Sequence, residues 1–153
     1  MTPRIALTPG EPAGIGPDIT LAAAGQCWDA EVIAIGDPAM LRTRARQLDI
    51  DIQLLEFDRN AAPQPHRPGT LKVLPVSLAT PCTAGKLDPA NAQYVLDTLH
   101  LAVDGCMDNS FAAMVTAPVQ KSVINDAGIA FSGHTELLAE RTATARVVMM
   151  LSL

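Results

Sequence analysis

Along this chain an apolar run of strand length is repeatedly followed by a Gly/Pro turn and then by apolar positions at helical spacing. That alternation is the pattern of βαβ units, and it restricts the fold to an α/β class built on a parallel sheet. Arg4 to Thr8 is the first run; Pro17, whose fixed φ and missing N–H suit a first helical turn, opens a helix ending near Gly25. Glu31 to Gly36 reads as the second strand. Pro38 then opens a helix carrying Met40, Leu41, Ala45 and Leu48, with arginines 42, 44 and 46 expected on its exposed face.

Ile52 to Phe57 and Thr70 to Val76 are strand-like and flank PQPHRPG (63–69), a proline-rich surface loop, so they are expected to form a side excursion from the main sheet. Asp88 and Pro89 make an N-cap and first-turn pair for the longest helix, with Ala92, Val95, Leu96, Leu99 and Val103 on one face and an end near Met107. Ala112 to Thr116 reads as a buried strand, followed by a short helix from about Val119 to Gly128 and a last helix over about Thr135 to Thr142. The terminal run RVVMMLSL (146–153) reads as a strand buried on both faces, with more chain expected after it to cover it.

With 153 residues and 48% hydrophobic content, the chain is expected to form a single unit over 1–153 with a real core. Only 3% of residues are aromatic, so that core must come from Ala, Val, Ile, Leu and Met. A net charge of −5 and no Lys/Arg cluster argue against a nucleic-acid partner, which needs many cations on one face. No apolar stretch approaches the roughly 20 residues of a membrane span, and the N-terminus has no signal-peptide core, so a cytoplasmic location is expected. Cys27, Cys82 and Cys106 are widely spaced, with no disulfide or zinc pattern; buried free thiols are the expectation.

Three segments carry candidate chemistry. TPGEPAGIGP (8–17) joins the first strand to the first helix; Gly14 and Gly16 there could offer backbone N–H groups to an anion, or could serve only tight packing. The order is GxxxGxG, neither a dinucleotide GxGxxG nor a Walker loop. Glu11 sits where α/β sheets bind ligands, as a contact for a substrate amine or hydroxyl or as a solvated charge. In VTAPVQKSVIND (115–126), Thr116 ends a strand and Lys121 falls in a first helical turn, either facing a substrate phosphate or simply exposed. FSGHTE (131–136) places His134 ahead of a helix with Thr135 as a candidate N-cap. His66 and His100 have weaker cases, and no metal site is assigned within the chain.

In their order and approximate spacing, these segments resemble the 4-hydroxythreonine-4-phosphate dehydrogenases. The resemblance continues through LDPANAQYVLDTL (87–99) to the end at VVMML, and reads as the amino-terminal half of that family. It implies a three-layer α/β/α fold like that of isocitrate and isopropylmalate dehydrogenases, here incomplete, in a homodimer. It also implies NAD-dependent oxidation and decarboxylation of 4-phosphohydroxy-L-threonine on the route to pyridoxal phosphate. By resemblance His134 and Thr135 are the substrate-contacting pair, with Glu11, Gly14, Gly16, Thr116 and Lys121 as further substrate or anion contacts; no catalytic residue is assigned. A divalent metal (zinc, magnesium or cobalt) polarises the substrate alcohol in the family. Its histidine ligands, and most of the NAD pocket, are expected beyond residue 153, so the chain alone is expected to turn over negligibly. Two other readings stand: a sister activity on 4-phospho-threonate or 4-phospho-erythronate, and a non-catalytic anion-binding or assembly module.

Overall fold

Apolar runs that can be covered on both faces become the strands of one sheet in the computed structural model, which describes all 153 residues. The strands are β1 (Arg4–Thr8), β2 (Glu31–Gly36), β3 (Gln53–Glu56), β4 (Thr70–Pro75) and β5 (Ala113–Thr116). Their order is β3-β4-β2-β1-β5, with every neighbouring pair parallel. The helices are α1 (Gly16–Ala24), α2 (Pro38–Gln47), α3 (Ala92–Met107), α4 (Lys121–Asp126) and α5 (His134–Arg141). Asp88 caps a 3-10 turn, Pro89–Asn91, by accepting from the Ala90 N–H, and this turn leads into α3.

The two-residue strand period splits the core. Ile33 and Ile35 of β2, with Ala6 of β1, pack against Ala102 of α3 and Phe111. Ala34, between the two isoleucines, shares its face with Val73 of β4 and meets Met40 and Leu41 of α2 and Ala24 of α1. Helices α1 and α2 therefore cover one face and α3 the other, giving the three-layer α/β/α arrangement. The larger cluster also takes in Tyr94, Val95, Leu96 and Leu99 of α3 with Ile124 of α4. Leu99 is fully buried. Leu99→Ala is expected to cost about 2–5 kcal/mol through lost transfer energy and the cavity left behind, read as a lower urea midpoint at unchanged slope.

Several expectations are corrected. β3 and β4 are not a side excursion: β4 pairs with β2 and β3 with β4, because the 57–69 loop is long enough to return the chain in parallel register. Arg44 is buried, not exposed with Arg42 and Arg46. β5 is an edge strand paired only with β1, which leaves Ala113, Val115 and Thr116 exposed. Residues 146–153 form no strand, since none of the five strands pairs with them, and Val148 to Leu151 are exposed. Cys27 is exposed and Cys82 and Cys106 only half-buried, so the thiols are not core residues.

The connections place the site. From β1 the chain passes through α1 to β2 on one side, whereas α3, lying on the opposite face, delivers it to β5 on the other side of β1. The crevice outside the C-terminal ends of β1 and β5 is thus a topological switch point, the position where open α/β sheets bind ligands.

Candidate functional site at the β1/β5 switch point

Thr8 and Thr116 are register partners at the ends of β1 and β5, so the two turns that follow start side by side. The glycines of the first turn are dictated by contact. Gly10 has φ +71°, and a Cβ there would lie 2.2 Å from the Pro118 carbonyl oxygen. At Gly16 a Cβ would lie 1.6 Å from the Pro9 carbonyl oxygen. The Glu11 N–H donates to the Pro118 carbonyl at 3.1 Å, tying the glycine turn to the turn after β5. Gly14 closes the loop by donating to the Glu11 carbonyl at 3.0 Å. The N–H groups of Ile15 and Gly16, where α1 begins, meet no protein acceptor. Helix α1 starts at Gly16, one residue before the expected Pro17.

Glu11 is not a solvated charge: it is 6% exposed, and its Oε1 accepts from the Ala13 N–H at 3.0 Å. Burial pushes its carboxyl pKa above the ordinary value, against the Ala13 hydrogen bond and with a smaller push from Asp88. A carboxyl whose folded pKa is raised contributes stability below its unfolded pKa and loses it as pH rises through the folded value. Glu11→Gln is therefore expected to raise the melting temperature at pH 7 and to leave it nearly unchanged near pH 4. An unchanged melting temperature at pH 7 would contradict that reading.

Lys121 is the first residue of α4, as its place in the sequence predicts, and is exposed. It reaches across to the third segment: a Cβ on Gly133 would stand 3.4 Å from Lys121 Nζ and 3.1 Å from Glu136 Oε2. His134 is not ahead of α5 but its first residue; Gly133 takes the cap position, so Thr135 lies inside the helix and caps nothing. The His134 ring stands edge-on to Phe131, with centroids 6.5 Å apart. Its Nε2 is buried without a hydrogen-bond partner. Burial first, and the Lys121 ammonium second, hold its pKa below the usual histidine value, which favours the neutral ring.

Glu11, Gly14 and Gly16 thus lie in a turn tied through Pro118 to the segment that follows Thr116, and Lys121 lies beside Gly133 and His134, the residue before Thr135. His66 belongs elsewhere: its Nε2 lies 2.9 Å from the Ala24 carbonyl oxygen, a structural contact. His100 lines a groove between α3 and α5 that Phe131, Ser132, Gly133 and Glu136 of the third segment also line. Sequence reasoning missed Arg44, whose guanidinium bonds the Pro12 carbonyl at 2.9 Å, the Gly14 carbonyl at 3.1 Å and the Asp18 carboxylate. A signal was present, because position 44 falls on the helical stripe of residues 40, 41, 45 and 48.

Comparison with known proteins agrees with the three-segment resemblance. The chain is 53% identical over 149 residues to the 4-hydroxythreonine-4-phosphate dehydrogenase of Serratia proteamaculans, covering 97% of this chain and 45% of that protein. It is 55% identical over 152 residues to the enzyme of the same name from Pseudoalteromonas translucida, covering 99% and 46% respectively. Among solved structures, the 4-hydroxythreonine-4-phosphate dehydrogenase of Klebsiella pneumoniae superimposes with a TM-score of 0.81 at 30% identity, over 93% of this chain and 45% of that one. The chain spans less than half the length of these curated relatives. The sequence model described as pyridoxal phosphate biosynthetic protein PdxA matches residues 28–153. On that match and these identities, the chain belongs to the PdxA family.

Proposed function

We propose that this chain forms the substrate-side wall of an NAD-dependent dehydrogenase, a homodimer of the cytoplasm. The enzyme oxidises the secondary alcohol of 4-phosphohydroxy-L-threonine and releases carbon dioxide from the resulting keto acid, toward pyridoxal phosphate. The observation that carries the reading is the buried His134 Nε2 without a protein partner, beside Lys121, in a chain of the PdxA family. A buried polar nitrogen left without a partner costs stability, and a ligand that hydrogen-bonds it recovers that cost. In the neutral ring the two nitrogens are one donor and one acceptor, so Nε2 can meet either a hydroxyl or a carboxylate, depending on the tautomer.

Thr135, one residue on, adds a hydroxyl to the same helix start. Lys121 supplies a cation for the phosphate or carboxylate of the substrate. Thr116, Gly14 and Gly16 are assigned as further substrate or anion contacts, with Glu11 as a contact for the substrate amine or a hydroxyl. NAD accepts the hydride in the family reaction, and a divalent metal would act as Lewis acid on the substrate oxygen. The residues of this chain do not fit a metal by themselves, because no three His, Cys, Asp or Glu side chains converge. Nor does the GxxxGxG turn match a dinucleotide loop. The roles proposed here are accordingly binding and orientation of substrate.

The test is a fusion of this chain to the carboxy-terminal portion of a relative, assayed for NADH formation with NAD and a divalent cation. Turnover of 4-phosphohydroxy-L-threonine by the fusion, with negligible turnover by the chain alone, is the expected result. A folded fusion that binds NAD yet makes no NADH from this substrate overturns the proposal; preference for 4-phospho-threonate assigns the sister activity instead.

A further inference from the structure

We infer that Arg44 is the positioning residue of the glycine turn: it sets the peptide planes 12–13 and 14–15 and thereby aims the Glu11 carboxylate and the Ile15 N–H. Arg44 belongs to α2, yet its guanidinium is buried under the turn and bonds two of the turn's carbonyl oxygens, those of Pro12 and Gly14. A trans peptide is planar, so the N–H of one residue points opposite to the carbonyl of the residue before it.

Holding the Pro12 carbonyl toward Arg44 therefore turns the Ala13 N–H the other way, and that N–H is the donor to Glu11 Oε1. Holding the Gly14 carbonyl toward Arg44 likewise turns the Ile15 N–H away from α2, where no protein group accepts it. The third contact, to Asp18, anchors the guanidinium to the first turn of α1. Two carbonyls and a carboxylate around one cation need a planar fork of donors, which arginine has and lysine lacks. The inference rests on the proposed function only in taking Glu11 as a ligand contact; the geometry that aims it does not.

The test uses amide NMR of the isotope-labelled chain through a pH titration, with melting temperatures recorded for each variant. In the unsubstituted chain the Ala13 amide signal should move as Glu11 ionises, and Glu11→Gln should abolish that movement, which assigns it. Arg44→Met and Arg44→Lys are both expected to abolish it while leaving the rest of the spectrum folded. Asp18→Asn removes the ion pair but not the carbonyl contacts, and should retain the movement. If Arg44→Met does not fold, Arg44→Lys decides. Wild-type movement in Arg44→Lys overturns the inference, as does loss of it in Asp18→Asn or its absence from the unsubstituted chain. No turnover is measured, so failure of the dehydrogenase assay and failure of this inference are separate results.

Discussion

Gly16→Ala is expected to lower stability by about 3 kcal/mol or more, a drop of roughly 10 °C in melting temperature for a chain of this size. The added Cβ would stand 1.6 Å from the Pro9 carbonyl oxygen, with the Ala117 side chain 3.1 Å away on another side. The nearest obstacle is backbone, so no rotamer change relieves it; either the glycine turn opens or the start of α1 shifts. Gly10→Ala meets the Pro118 carbonyl at 2.2 Å and adds the cost of a positive φ, so it should behave alike. Gly14→Ala is the control, since its Cβ comes no closer than 3.4 Å to any neighbour. Thermal melts of the three variants check the ranking; a Gly16→Ala protein as stable as Gly14→Ala would show that the turn is not packed as described.

For His134→Ala, the expected result is a loss of about 10- to 100-fold in kcat/KM in an active protein carrying this chain. That is the effect of removing one hydrogen bond worth about 1.5–3 kcal/mol to a charged or polarised group. The same substitution should act oppositely on stability at low pH. Burial and Lys121 depress the folded pKa of His134 below 6.5, so the unfolded chain takes up the proton first as pH falls. The contribution of the neutral ring is present above pH 6.5 and is lost as pH falls through the lower folded value. Replacing His134 removes that part of the acid sensitivity, so the melting-temperature difference between pH 7 and pH 5 should narrow. A variant with normal kcat/KM and unchanged acid sensitivity would remove His134 from the site.

Much of the local structure around the candidate residues was legible in local chemistry. Glycines and prolines between an apolar run and a helical stripe mark the 8–17 turn, and Lys121 falls in the first turn of its helix as its spacing predicts. The start of α5 was less legible. Thr135 is a good cap former, but Gly133, with φ +155°, takes the cap position and draws His134 into the helix. The burial of Glu11 was not legible either, because a carboxylate in a glycine turn reads the same in sequence whether its loop faces solvent or is closed by Pro118.

From the sequence alone, the period of two and the period of 3.6 determined which segments are strands and helices, and the motif order determined the family. Those are local properties, decided by spacing along the chain. Only the tertiary structure decided that β4 enters the sheet between β2 and β3, that β5 lies beside β1, and that Arg44 is buried under a turn 30 residues away. Strand order and long-range ion pairing depend on which backbone edges and desolvated groups find partners after collapse. One-dimensional spacing carries that information only where, as on the stripe of residues 40, 41, 44, 45 and 48, a charged side chain shares a buried face.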